Sequence, residues 1–251
     1  MEPDAYNGQF FLTKTMKILP KRVVARRESI YEQILPKIRQ DIVEGRWKPG
    51  QRLPEPLLCD EFGVSRTPLR DTFRVLESEG LLKLIPLVGA VVTKPDDVDI
   101  SGTFELLAVL EGLAGETIAR NRPAAVLAKL QKICEKLQLA LEKNDHVLYF
   151  KLNDDFHRAL ALGSRNPTLI QLHENLMWHV YRLRHSINAS SPFSRETGTG
   201  EEHGAIMAAI ETGNAREAFE LVRAHMQHVG ANVLAATDKS EPLSLALAAV
   251  E

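Results

Sequence analysis

Gly63-Val64-Ser65-Arg66-Thr67-Pro68-Leu69-Arg70 lies between two segments with helical apolar spacing, and it decides how the first third of the chain is read. Gly63 offers a sharp break after a short helix expected over Pro54–Phe62. Ser65 or Thr67 can cap the next helix, expected from Ser65 to Glu79. Pro68 is tolerated there because first-turn amides have no intrahelical acceptor. Gly80 is the stop. Upstream, Ile30, Ile34, Ile38 and Ile42 recur every fourth residue and predict a helix over Glu28–Glu44, with a kink or a late start at Pro36. Downstream, Leu81–Ile85 and Ala90–Thr93 flank Pro86-Leu87-Val88-Gly89 and read as a hairpin. Helix, helix, tight turn, helix, hairpin is the order of a winged helix-turn-helix.

The start of the third helix suits DNA for two reasons. Backbone amides there can bind a phosphate. First-turn side chains of such a helix enter the major groove, where an arginine can grip guanine O6 and N7 together. Arg66 and Arg70 are four apart and share a face, which Arg74 extends. A solvated, capped helix face is the plainer explanation for any single arginine, but the surrounding helical pattern favours double-stranded DNA as partner.

The chain of 251 residues, 44% hydrophobic, has too many apolar residues for a disordered chain and only two cysteines, Cys59 and Cys134, too few for a disulfide scaffold. No stretch approaches the roughly 20 apolar residues of a membrane span, so a cytoplasmic protein with no membrane partner is expected. The net charge of −2 hides an asymmetry: residues 1–95 carry 16 Lys and Arg against 12 Asp and Glu, and the remainder is acidic. All eight histidines, from His146 to His228, fall in the second part. Such a division points to two modules with different partners.

The first module resembles the DNA-binding domain of GntR-family transcription regulators. The resemblance rests on Gly45-Arg46-Trp47-Lys48-Pro49-Gly50-Gln51-Arg52-Leu53, on the stretch from Gly63 to Arg70, and on Leu76-Glu77-Ser78-Glu79-Gly80-Leu81. It implies base and phosphate contacts from Ser65, Arg66, Thr67 and Arg70. Two positions depart from the family: Pro56 stands where many members carry an arginine in the second helix, and Val88 stands where many have one at the wing tip.

After Pro95 the pattern is helical throughout. Helices are expected over Phe104–Ala119, with Leu106, Leu110, Leu113 and Thr117 as the apolar stripe, and over Ala124–Glu142. Others are expected over Asp145–Leu162, from Asn166 to Ile187, over Gly200–Glu211 and from a capping box at Asn214 to Ala235. Nothing reads as a parallel sheet or a glycine-rich phosphate loop. The expected fold is therefore mainly α, with the winged helix-turn-helix at residues 26–95 and an all-helical antiparallel bundle at 96–238. Residues 1–25 read as a disordered extension and 239–251 as a tail.

Asn153 and His157 are four apart on one helix, His203 opens another and His225 lies inside the last. A bundle can converge such side chains on its interior, although a helical histidine is more often a surface or hydrogen-bonded core residue. Asn153-Asp154-Asp155-Phe156-His157, followed by Asn166-Pro167, Glu202-His203-Gly204 and Ala224-His225-Met226, resembles the FCD effector domain of the FadR-like GntR subgroup. The resemblance implies a divalent transition metal (Zn, Ni or Mn) held by Asn153, His157, His203 and His225, with Asp154 as a possible substitute for Asn153. It also implies a small carboxylate effector captured by that metal. The family's arginine on the first helix of this domain has no counterpart in residues 105–111, so Arg182 and Arg184 are the cations offered in its place. His173, His179, His185 and His228 are expected at the surface or behind the ligands.

The resulting expectation is a homodimeric transcriptional regulator without catalytic activity, its operator affinity set by an organic-acid or sugar-acid effector. Two alternatives stand beside it. One is a regulator for which the metal is itself the signal; the other is a metal-dependent enzyme fused to a DNA-binding head.

Overall fold

The computed structural model describes residues 29–94, 97–190 and 199–238. The expected N-terminal extension and C-terminal tail lie outside them. The head begins with α1 (Ile30–Val43), opened by Ser29 and Glu32. The Ser29 amide donates to Glu32 Oε2 at 2.7 Å, half of a reciprocal capping box. The helix runs through Pro36 without a late start and buries Ile34, Ile38 and Ile42. α2 (Glu55–Phe62) ends at Gly63, which takes the left-handed conformation at φ 64°. α3 (Arg66–Ser78) follows directly, so Gly63 sets the angle between the two helices. Ser65 occupies the N-cap position of α3 with its backbone extended.

Strands β1 (Leu82–Ile85) and β2 (Gly89–Val92) pair antiparallel, with Leu82 opposite Val92 and Ile85 opposite Gly89. Arg52 adds a single bridge to Val91 on the outer edge. Leu53, Leu69, Phe73, Leu76, Leu81 and Val92 are among the residues that close the head's core. This is the winged helix-turn-helix expected from the sequence.

The second module comprises α4 (Asp97–Asn121), α5 (Ala124–Glu142), α6 (His146–Gly163), α7 (Pro167–Ser190), α8 (Thr199–Thr212) and α9 (Ala215–Asp238). α4 lies at its centre, against α6, α7, α8 and α9. Its contact with α9 is close because small residues face the partner. A Cβ on Gly112 would come within 3.0 Å of the Phe219 ring and 3.1 Å of the Phe219 carbonyl. One on Gly115 would meet Val222 at 3.0 Å, and one on Gly230 would meet Phe104 at 2.8 Å.

That packing corrects the stripe expected for α4. Phe104, Leu107, Ala108, Glu111, Ala114 and Ile118 are buried, while Leu106 is 57% and Leu113 41% exposed. The helix is apolar on both sides, so periodicity alone does not choose the inner one. The face carrying glycine and alanine permits the closer approach, and the bulky leucines are left outside.

Candidate metal centre and nucleic-acid face

In the head, Ser65, Arg66, Thr67 and Arg70 are all exposed on the first turns of α3. Leu69, Thr72, Phe73 and Leu76 on the opposite side anchor the helix in the core, leaving the polar turn outward. Arg70 is tethered by Nε to Glu55 Oε2 at 3.1 Å, and Arg74 pairs with Asp71 at 3.0 Å. Both pairs are exposed, so a phosphate or a base edge can replace the carboxylate at small cost. The wing tip carries Leu87, fully exposed at φ 65°, and Val88. Arg52 lies beside the wing. Its Nε is 3.5 Å from where a Cβ on Gly89 would sit.

In the helical domain, α6 brings His157, α8 brings His203 and α9 brings His225 into one buried cluster. They are 1%, 1% and 2% exposed, and one ring nitrogen of each lies within 4.8 Å of the others. His157 and His225 stack with ring centroids 5.3 Å apart, and His203 stands 4.6 Å from His225 at a steep angle. Asn153, one turn before His157 on α6, is also buried, at 5% exposure. Asp154 and Asp155 stand farther out, half-buried and exposed respectively.

Two carboxylates that the sequence reading did not assign fix the rings. Glu111 on α4 accepts from His157 Nδ1 at 2.6 Å and from His173 Nε2 at 2.9 Å, all three groups being almost wholly buried. Glu202 on α8 accepts from His225 Nδ1 and from His228 Nδ1, each at 2.7 Å. A proton on Nδ1 leaves the lone pair on Nε2. The Nε2 atoms of His157 and His225 are buried with no hydrogen-bond partner. An unsatisfied buried polar atom costs about 1–3 kcal/mol, so these two nitrogens favour a Lewis acid between them. Carboxylates holding the far nitrogen of ligating histidines are a common support in metal sites. The donor set fits a divalent transition metal.

The charges agree with this geometry. Burial alone would raise the Glu111 carboxyl, but His157, and then His173, overcome it and hold it far below the usual carboxylate range. Glu202, half-buried, is likewise lowered by His225 and His228 against the opposing effect of burial. Burial lowers His225 below the ordinary imidazole value, outweighing its bond to Glu202, so the ring stays neutral as a ligand requires.

Of the histidines expected at the surface or behind the ligands, His173 and His228 support the two carboxylates. His179 donates Nε2 to the Glu79 carbonyl at the end of α3, 2.9 Å away. The side chains of His185 and Arg184 lie outside the described residues. Arg182 is not an exposed charge. It is 5% exposed and donates Nη1 to Thr93 Oγ1 at 2.8 Å and to the Thr93 carbonyl at 3.3 Å, at the seam with the head. Glu111 could have been noticed in the sequence as a lone acid among Leu107, Ala108 and Ala114, but only after the right face of α4 was known.

No helix of the described residues is long and apolar enough to cross a membrane. Residues 30–92 match the family of bacterial regulatory proteins, gntR family, and residues 102–228 match the FCD domain. The chain is 31% identical over 202 residues to the HTH-type transcriptional regulator YdhC of Bacillus subtilis (strain 168), covering 79% of this chain and 88% of that protein. It is 30% identical over 230 residues to the Uxu operon regulator of Haemophilus influenzae, covering 84% of this chain and 85% of the relative. The fold is similar to that of E. coli McbR/YncC, with a TM-score of 0.68 at 24% identity, over 86% of this chain and 100% of that one. A winged helix-turn-helix matched by one family and a histidine-bearing bundle matched by the other place the chain in the GntR family of transcriptional regulators, with an FCD domain as its second module.

Proposed function

We propose that the chain is a homodimeric operator-binding regulator whose DNA affinity is set by a small organic or sugar acid. The acid would be captured at a divalent metal held by Asn153, His157, His203 and His225. The observation that carries this reading is the pair of buried, unpartnered Nε2 atoms on His157 and His225, converging with a ring nitrogen of His203. A metal bound there supplies positive charge with open positions for a carboxylate. The protein's part is to orient the rings through Glu111 and Glu202 and to exclude water.

α7 supports a route from this site to DNA. Its His173 shares Glu111 with the proposed ligand His157. Farther along α7, Trp178 packs on the head's core under the Arg39 guanidinium, 4.9 Å from its ring centroid. His179 and Arg182 then hold the end of α3 and the end of the wing. A shift of α7 driven from the metal site would move the mount of the recognition helix, and DNA and effector would alter each other's affinity equally.

Two-fold operators require paired heads. The exposed α4 face with Leu106, Val109 and Leu113 supplies an apolar seam for a second copy. Leu106→Glu with Leu113→Glu should shift the protein from dimer to monomer in light scattering. A dimer that survives both changes places the seam elsewhere.

The deciding experiment is elemental analysis of protein purified without added metal or chelator, beside His157→Ala. About one transition metal per chain, lost in the variant, is the expected result. No metal in either removes the mechanism of effector capture. Operator binding titrated with metal alone, and then with metal plus acids, separates the proposed regulator from one that senses the ion itself.

A further inference from the structure

The turn of the wing is closed by the Val88 amide, which donates to the Ile85 carbonyl at 3.1 Å and leaves Pro86 and Leu87 as its central residues. Leu87 lies at φ 65°, a backbone state that glycine or asparagine normally takes at this place in a turn. A leucine there strains the chain. Its side chain recovers nothing within the fold, because it is fully exposed, and Ile85 and Val88 beside it are exposed as well. From Ile85 to Gly89 no side chain carries a charge or a hydrogen-bonding group. The tip therefore has no means of reading a base edge by polar contacts.

The surroundings of the tip favour DNA as its cover. Lys83 lies opposite Val91 in the sheet, and Arg52 bridges to Val91 from the other side. Directly opposed residues share a face, so these two exposed cations flank the wing together. No carboxylate stands between Leu82 and Val92 to oppose them. The wing is also tied to the recognition helix. Glu55, which accepts from Arg70 Nε at 3.1 Å, follows Arg52 by three residues, a span of at most about 11 Å. Wing and helix thus share one edge of the head. With α3 in a major groove, that edge meets the adjoining minor groove, about 6 Å wide, which admits a side chain but no helix.

We propose that Leu87 is an apolar wedge that enters the minor groove, partly unstacks one base step and bends the operator. Arg52 and Lys83 hold the flanking phosphates. The inference rests on the operator-binding reading and adds a selectivity that base contacts do not supply. Pyrimidine–purine steps such as TA and CA unstack most readily, so one of them is favoured beneath the wing.

The test uses the full chain and a duplex that it selects from random sequence, with the bend read by energy transfer between dyes on the duplex ends. Wild type should bend the duplex by about 20–90°. Leu87→Gly should leave the fold as stable as wild type or more so, because glycine takes this backbone state freely. The same variant should bind about tenfold more weakly and leave the duplex straight. Leu87→Arg should keep its affinity through the phosphates and still lose the bend. The wedge is overturned if wild type leaves the duplex straight, or if either variant bends it as wild type does. Selected sites without a pyrimidine–purine step beneath the wing overturn it too. Arg66→Ala with Arg70→Ala separates the two readings. Binding that depends on these arginines but produces no bend removes the wedge alone, whereas failure of wild type to select any duplex removes operator binding and the wedge with it.

Discussion

In the head, Ser65, Arg66, Thr67 and Arg70 stand exposed on the first turns of one helix over an apolar core. In the helical domain, His157, His203 and His225 come from three helices and are nearly inaccessible to water. The first arrangement suits a partner that arrives with its own ordered charges, since flexible arginines in water adapt to phosphates and base edges. The second suits a small, strongly charged guest, because the His157 and His225 rings, held by Glu111 and Glu202, do not have to be ordered on binding. The exposed turn at Ser65–Arg70 is therefore free to suit a partner while adding little to folding. The polar residues of the helical domain contribute to both.

The sharpest way to break this contrast is the double variant Arg66→Ala, Arg70→Ala. Each arginine gripping a base pair is worth about 1–3 kcal/mol. Affinity for an operator selected from random duplexes should therefore collapse in fluorescence anisotropy. Thermal unfolding should stay within about 0.5 kcal/mol of wild type, as for exposed positions in general. A comparable loss of stability would show that the turn also belongs to the core.

The second test acts on the buried side. Glu111→Gln keeps the shape but removes the charge that orients His157, and metal affinity should fall about 10- to 100-fold. Competition with a fluorescent chelator reads this directly. Unchanged affinity would mean that the carboxylate serves only the packing of α4.

Acid should then distinguish the two regions in metal-free protein. The folded state holds His225 below the ordinary imidazole value of 6.5, so the unfolded chain takes up that proton first as pH falls. Stability is therefore full above that value and is lost on acidification. Glu111 extends the loss below 4.5, where the unfolded carboxyl protonates while the folded one stays ionised. The urea midpoint should be lower at pH 5.5 than at pH 7.5, and His225→Asn should shrink the difference. A midpoint that rises on acidification would contradict the neutral, buried ring.

The smallest effect concerns a group outside both sites. Burial pushes the Cys134 thiol up to about 12, helped by Glu211 and Glu135, so it stays protonated at pH 8. Mass spectrometry after brief iodoacetamide treatment of folded protein should find Cys134 unmodified.

The head was legible in the sequence because its signals are local. Gly63 and Gly80 mark turns where the backbone has positive φ, and the isoleucines at 34, 38 and 42 form the buried stripe of α1. The helical domain was legible in its elements, as in α5, whose limits Ala124 and Glu142 were both anticipated. Its inner geometry was not. The choice between the two apolar faces of α4 depends on Gly112 and Gly115 meeting Phe219 and Val222, more than 100 residues away. Glu111 lies on the glycine- and alanine-bearing face rather than the leucine stripe of Leu106 and Leu113, so the same ambiguity hides the carboxylate behind His157. Pairings such as Glu202 with His225 are set by tertiary packing and leave no periodic trace.

Glu79 spends its two ends on different parts of the molecule. Its side chain grips Arg39 within the head, and its carbonyl is held by His179 of the helical domain. Chimeric regulators built by grafting this head onto another effector module would keep the Arg39 pair and lose the clasp from His179, Trp178 and Arg182. On the proposed route through α7, such a graft would keep its DNA recognition and lose the response to its effector, unless those three α7 residues travelled with it.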